Sequence, residues 1–136
     1  MTHALISGFL FATLSLLAAD SQDRSLDSLL NATHFAFGGV GFAGVTSQGE
    51  RDYKEILARP SAETDFERVF QAGNVQAKCY ALTALYKLNH EKFLQLALPL
   101  RKSDTRVFVM RGCVMSQRPL SAVIGEIEAS AYSRQK

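Results

Sequence analysis

The sequence predicts a mainly α-helical single domain, and three observations lead to this prediction. Apolar residues recur at helical spacing in most segments between residues 23 and 128. Very short links join the segments near 62–72, 75–88 and 90–101, as in antiparallel helical hairpins. One run, at 105–111, is instead β-rich and adds a single short strand to the helices. We therefore expect a compact domain with HEAT-like antiparallel α-hairpins, a short glycine-rich extended segment and one short strand.

The N-terminus predicts a signal peptide over residues 1–19. Residues 4–19, ALISGFLFATLSLLAA, carry no charge and end in small residues. This stretch is shorter than the roughly 20 residues of a membrane span. An uncleaved anchor and a buried N-terminal helix of a cytosolic protein are the alternatives. We expect cleavage after Ala19, a single mature domain over 20–136, and a periplasmic or secreted location.

The first mature segments are a short helix and a glycine-rich stretch. Residues 23–34 place three leucines at helical spacing, which predicts a helix. Five glycines then fall within residues 38–49. Glycine disfavours a helix and suits bends and bulges. Aromatic side chains interleaved with small residues are usually buried, so we expect a core position for Phe35, Phe37 and Phe42.

Two capping boxes predict the next two helices. Ser47 and Glu50 form an S-x-x-E pattern, and the helix that follows should end before Pro60. Residues 64–67 read TDFE, a T-x-x-E pattern that predicts the next helix start. Gly73 is the expected residue after the end of that helix.

The remaining segments predict two helices, a strand and a last helix. Residues 75–88, VQAKCYALTALYKL, are apolar over most of the helix surface, which favours a central, buried position. Asn89 ends this helix and caps the next one, which Pro99 should kink or fray. Residues 105–111 predict the strand, and Pro119 begins the last helix.

Three segments also carry a resemblance to known proteins. They read FGGVGFAGVTSQGE, GNVQAKCYALTALYKL and RGCVMSQRPLSAVIGEI. Together they resemble a group of small secreted bacterial proteins with HEAT-repeat-like helices. The resemblance covers residues 35–127 and implies an exported, mostly helical domain. It implies no catalytic residues.

The chain contains two cysteines, Cys79 and Cys113. In an oxidising compartment such a pair readily forms a disulfide. A bridge would close a loop of about 34 residues and stabilise the fold by about 3–4 kcal/mol through chain entropy. Two buried free thiols are the alternative. We predict the bridge.

Residues 39–44 spell G-x-G-x-x-G, the pattern of a dinucleotide-binding turn. That turn needs a helix directly after the glycines and a second strand beyond it. Here the next helix begins near residue 48, and residues 58–65, ARPSAETD, read as a loop and a helix start. We therefore predict no nucleotide cofactor and interpret the glycines as structural. Backbone N–H groups beside a helix N-terminus can still bind an anion, and the candidate ligand loop comprises Gly38, Gly39, Gly41, Gly44 and Ser47.

No metal site and no catalytic arrangement is predicted. The mature chain has two histidines, but no H-E-x-x-H, C-x-x-C or G-x-S-x-G pattern. Cys79 lies within an apolar helix, which disfavours a reactive thiolate. The acidic residues near 63–67 and 126–128 are interpreted as a solvated surface.

Residues 87–118 carry seven cations and two acids. This bias would attract an anionic polymer or lipid headgroups, and ordinary solubilising charge is the alternative. The net charge of +2 is too small to indicate nucleic acid. The candidate basic patch comprises Arg101, Lys102, Arg106, Arg111 and Arg118.

These observations favour a non-catalytic exported module that binds an envelope or extracellular protein without a cofactor. The alternative is a small-ligand or anion-binding protein that uses the glycine-rich loop 38–49. An enzyme of unknown class is the third hypothesis.

Overall fold

The computed structural model describes residues 24–129 and 132, and within them the predicted mainly helical fold is confirmed. The predicted signal peptide lies outside the described residues. The helices are α1 (24–30), α2 (Gln48–Leu57), α3 (Ala62–Ala72), α4 (Val75–Leu88), α5 (His90–Ala97), which continues into a 3-10 turn (Leu98–Leu100), and α6 (Leu120–Glu128). The strands are β1 (Gly39–Val40), β2 (Val45–Thr46), β3 (Arg106–Arg111) and β4 (Val114–Pro119).

Helix α4 is the centre of the fold, as its composition predicts. It contacts α2, α3, α5, α6 and β3. Between Gln76 and Leu85 every side chain except that of Lys78 is buried. Asn74 caps the helix by accepting a hydrogen bond from Ala77 N at 2.9 Å, and it donates to Ala32 O beyond α1 at 2.9 Å. The most apolar segment thus forms the axis around which the other helices pack.

Helix α3 begins at Ala62, in agreement with the predicted segment near 62–72 but ahead of the T-x-x-E start at Thr64. The T-x-x-E pattern misleads here because the first turn is organised from Ser61. The Ser61 hydroxyl donates to Asp65 Oδ2 at 2.8 Å, and Asp65 N donates to Ser61 O at 2.9 Å. The Ser47 cap of α2 is confirmed, since its Oγ accepts from Glu50 N at 3.2 Å.

The predicted strand pairs with a second strand that the sequence does not reveal. β3 and β4 form an antiparallel hairpin with Arg111 opposite Val114 and with Gly112 and Cys113 in the turn. Gly112 adopts φ 56°, the left-handed region in which glycine is favoured. β4 reads VMSQRP and is mostly exposed, so it has little apolar pattern from which a strand could be predicted.

The glycine-rich segment lies along the free edge of β3. Phe35 N donates to Phe108 O at 2.7 Å, Met110 N donates to Phe35 O at 3.0 Å, and Gly41 N donates to Gly112 O at 2.9 Å. β1 and β2 then form a minimal antiparallel hairpin. No helix among the described residues combines the length and the apolar composition that a bilayer span requires.

Candidate functional site

An aromatic cluster holds the glycine-rich segment against α4. The ring centroids of Phe35 and Tyr80 lie 4.9 Å apart, and those of Phe37 and Tyr53 lie 5.0 Å apart, both edge to face. The Tyr80 hydroxyl accepts from Ala36 N at 3.0 Å and lies 3.0 Å from Ala36 O, to which it can donate. Burial raises the pKa of Tyr80 to about 12, so this hydroxyl is protonated at neutral pH.

Glu50 occupies the position that an anion would take at the predicted loop. Its carboxylate is buried and accepts from Gly38 N at 2.9 Å through Oε2, while Oε1 pairs with Lys54 Nζ at 2.7 Å. The capping box is therefore only half formed, because the Glu50 side chain points to Gly38 instead of returning to the Ser47 N–H. The chain supplies its own carboxylate to this part of the loop.

The other members of the candidate ligand loop also serve the fold. Gly41 N bonds to Gly112 O, and Gly44 N donates to Gly41 O at 3.2 Å. The Ser47 hydroxyl caps α2. Of these loop residues, Gly38 and Gly39 line one of the cavities that the described residues form. The backbone N–H groups of Gly38, Gly41 and Gly44 therefore already have acceptors within the fold.

That cavity has a volume of about 340 Å³ and lies between the glycine-rich segment and the β3–β4 turn. Among the described residues its wall consists of Phe37, Gly38, Gly39, Met110, Arg111, Gly112 and Tyr132. The sequence predicts Gly38 and Gly39 as ligand-binding residues of the loop, and it predicts Arg111 as a member of the basic patch. Met110, Gly112 and Tyr132 carry no sequence signal that places them beside residue 38.

One wall of the cavity carries a charged cluster around Glu126. Arg111 Nη2 lies 2.6 Å from Glu126 Oε2 and 3.1 Å from the Tyr132 hydroxyl. Tyr132 donates to the same carboxylate, and Arg118 pairs with its other oxygen. Burial, aided by the hydrogen bond to Glu126, raises the pKa of Tyr132 to about 12. Two guanidinium groups therefore share one carboxylate, and that of Arg111 also contacts a neutral phenol.

The candidate basic patch is less positive than the count over residues 87–118 suggests. Arg111 and Arg118 pair with Glu126, and Arg101 pairs with Glu128 at 2.9 Å. Both acids lie beyond the counted stretch, on α6, and the fold brings them back onto it. Of the five predicted cations, the remaining two are the exposed Lys102 and Arg106.

The predicted Cys79–Cys113 disulfide is not formed in the structure. Both thiols are free: Cys79 is buried within α4, and Cys113 is exposed in the β3–β4 turn. The two positions are not close, because the turn lies at the outer end of the hairpin while Cys79 lies inside the helical core. Burial also raises the pKa of the Cys79 thiol, which makes it unreactive.

The acidic residues form structural contacts. Glu63 accepts from Asn89 Nδ2 at 2.7 Å, and Glu67 lies 3.5 Å from Lys92 Nζ. Within residues 24–129 and 132, no group of three His, Cys, Asp or Glu side chains is arranged to hold a metal ion.

Exposed apolar side chains collect at the ends of the two hairpins. Phe42 has a relative exposure of 103%, which corrects its expected core position. The β1–β2 turn carries it outward, away from Phe35 and Phe37. Val45 is 57% exposed on the same hairpin, and Val114 and Met115 are 66% and 51% exposed on the other. We call these four residues, Phe42, Val45, Val114 and Met115, the hairpin rim.

No family model, curated protein or solved structure matches this chain. The resemblance to small secreted bacterial proteins stays a prediction, and the geometry carries the functional argument.

Proposed function

We propose that this chain is a non-catalytic protein-interaction module and that the hairpin rim is its contact surface. The observation that carries the proposal is the exposure of Phe42, a large aromatic side chain at the end of a turn. Contiguous exposed apolar side chains mark interaction sites more often than ordinary surface. Aromatic side chains also supply much of the binding energy of protein interfaces.

The two hairpins that carry the rim are joined to each other, which favours binding. The hydrogen bond between Gly41 N and Gly112 O joins the two hairpins close to their turns. Phe42 directly follows Gly41, and Val114 lies two positions after Gly112. A surface that is ordered before binding loses less conformational entropy when the partner arrives.

The edge of β4 suggests how a partner segment would lie. β4 pairs with β3 on one side, and none of the described strands pairs with its other side. An exposed strand edge offers backbone donors and acceptors to an extended segment of another protein. We propose a partner that adds such a segment to β4 and receives Phe42 in an apolar pocket.

The proposed partner is an envelope or extracellular protein, and the proposed location is periplasmic or secreted. The uncharged apolar segment 4–19, which ends in small residues, supports export. The ion pairs of Arg101, Arg111 and Arg118 favour a protein partner over an anionic surface, because they reduce the positive charge available to such a surface.

Photo-crosslinking in cells of the source organism tests the proposal. A photoreactive amino acid replaces Phe42 in the full chain, and a matched variant carries it at Leu98, which is exposed at 68% but lies outside the rim. We expect a discrete adduct with one protein from position 42 and none from position 98. Mass analysis of the adduct should show a chain that begins after Ala19.

Competition with wild-type protein, which carries no photoreactive residue, provides the control. Added wild-type protein should abolish the adduct, and a Phe42→Ser, Met115→Ser double variant should not. Equal adducts from positions 42 and 98, or no adduct from position 42, would contradict the interaction surface. An adduct whose chain retains residues 1–19 would contradict export but not the surface.

A further inference from the structure

We infer that the cavity between the glycine-rich segment and the β3–β4 turn binds a small organic carboxylate with a flat apolar body. This inference concerns a different surface from the hairpin rim and does not depend on a protein partner. Three properties of the cavity carry it: its volume, the aromatic rings in its wall and its guanidinium group.

The volume of the cavity results from three glycines in its wall. Gly38, Gly39 and Gly112 leave backbone as part of the wall, without side chains to fill the space. Gly38 and Gly112 have φ angles of 83° and 56°, so larger residues would be strained at both positions. The volume of about 340 Å³ falls at the lower end of the range of roughly 300–1,000 Å³ found for small-molecule sites.

Two aromatic rings in the wall favour a flat ligand. Phe37 and Tyr132 both line the cavity, and their ring centroids lie 5.8 Å apart with the ring planes tilted by 46°. Met110 adds a flexible apolar side chain, which adapts to the shape of a ligand and contacts aromatic rings favourably. Peptide planes at the glycines offer further flat surface. These groups suit an aromatic or similarly planar body better than a hydrated inorganic anion.

The guanidinium of Arg111 selects a negative charge. Its Nη2 atom makes the contacts with Glu126 and Tyr132, and within the described residues the Nη1 and Nε donors have no such partner. The side chain is 58% exposed, so these donors are accessible. Arg118 takes part of the Glu126 charge, which leaves the Arg111–Arg118–Glu126 cluster with a formal charge of +1. Arginine binds carboxylates with two parallel hydrogen bonds when its geometry allows.

The other charged groups near the cavity do not oppose this choice. Glu50 accepts a hydrogen bond from Gly38 N but is not part of the cavity wall, and Lys54 neutralises the Glu50 charge. Tyr132 remains a neutral phenol at pH 7, because its pKa is raised to about 12. A carboxylate at Arg111 therefore meets a net positive environment.

Benzoate is the probe for a binding test with the full chain. Amide chemical shifts are followed by nuclear magnetic resonance during titration, with benzamide as the neutral isostere and inorganic phosphate as the anion without an apolar body. We expect saturable shifts at Gly38, Gly39 and Gly112 with a dissociation constant of about 1 mM or lower. Benzamide and phosphate should bind about tenfold more weakly.

Two arginine variants separate the cavity from general charge effects. Arg111→Gln should weaken benzoate binding about tenfold, because the charged hydrogen bonds are lost. Arg106→Gln removes the same charge from the other end of β3, outside the cavity, and should leave the affinity unchanged. Thermal unfolding of both variants verifies that they are folded.

The outcomes are distinct. Equal binding of benzoate and benzamide would contradict the role of Arg111. Equal binding of benzoate and phosphate would contradict the requirement for a flat apolar body in the ligand. Shifts scattered over the surface without saturation would overturn the site itself. If Arg111→Gln fails to fold, Arg111→Lys keeps the charge but loses the bidentate geometry, and its affinity should fall by several fold.

Discussion

Two buried tyrosine hydroxyls, those of Tyr80 and Tyr53, differ in their hydrogen bonds. The Tyr80 hydroxyl is within 3.0 Å of both backbone polar groups of Ala36. The Tyr53 hydroxyl is buried without a hydrogen-bond partner in the part of the chain that the structure describes. A buried polar group that lacks a partner costs about 1–3 kcal/mol. The two hydroxyls should therefore affect stability in different ways.

We expect Tyr80→Phe to lower the free energy of unfolding by about 1–3 kcal/mol, because the buried Ala36 N–H loses its acceptor. Tyr53→Phe deletes the same atom and should change stability by less than about 0.5 kcal/mol or increase it. Urea unfolding of the two variants measures the difference. Equal losses would show that the hydrogen bonds of Tyr80 do not stabilise the fold.

The link between α3 and α4 requires a residue without a side chain, Gly73. Gly73 has an extended backbone, with φ −81° and ψ 165°, so its role is not the left-handed helix end that the sequence suggests. A Cβ atom at this position would lie 2.5 Å from Ala77 Cβ and 2.6 Å from Val69 O. The close approach of the two helices at their link therefore requires glycine.

Substitution of Gly73 tests this requirement. Gly73→Ala should lower the free energy of unfolding by about 1–3 kcal/mol through overpacking. Gly125→Ala is the matched control, because Gly125 lies within α6 and a Cβ atom there would contact nothing within 4 Å. That variant should gain about 0.5–1 kcal/mol from helix propensity. Thermal unfolding distinguishes the opposite signs, and a stabilising Gly73→Ala would refute the packing argument.

The sequence predicts the helices well because their signals are local. The Ser47 and Asn89 caps and the α4 pattern lie within a few residues of the elements that they define. β4 is different, since among the described strands it pairs with β3 alone, and its mostly exposed side chains give little apolar pattern. The same limit applies to Phe42, whose exposure depends on a turn between two strands of two residues each, which are too short to give a periodic signal.

Buried tyrosines make the stability of the fold depend on alkaline pH. Burial raises the pKa of Tyr80 and Tyr132 to about 12, while an unfolded tyrosine titrates near 10. Below about pH 10 both states keep the phenol proton, so the stabilisation is fully present. Above it the unfolded state loses protons first, and stability falls as the pH rises toward about 12.

The expected loss from Tyr80 alone is of the order of 3 kcal/mol across this interval. Urea unfolding measured at successive pH values above about 9 should show the decline. Tyr80→Phe should show a shallower decline than the wild type, because one titrating group is absent. A pH profile that remains flat for the wild type up to about pH 12 would be incompatible with buried, protonated tyrosines.

The candidate cavity could be predicted only in part, because it is assembled from distant parts of the chain. Gly38 and Gly39 stand out in the sequence, yet their neighbours in the cavity are Arg111, Gly112 and Tyr132. Those residues meet Gly38 only after β3 pairs with the glycine-rich segment. Likewise, the Glu126 carboxylate that restrains Arg111 comes from α6. Contacts of this kind leave no periodic signal in one sequence.

The contacts of the glycine-rich segment limit which substitutions it can accept during evolution. Surface loops usually tolerate substitution, because few other parts of a protein depend on them. This segment bonds to β3 through Phe35, to α4 through Ala36 and to α2 through Gly38. Exchanges at these positions would therefore disturb contacts with three different elements. We therefore expect the stretch that looks most like a loop to accept fewer replacements than the exposed faces of the helices around it.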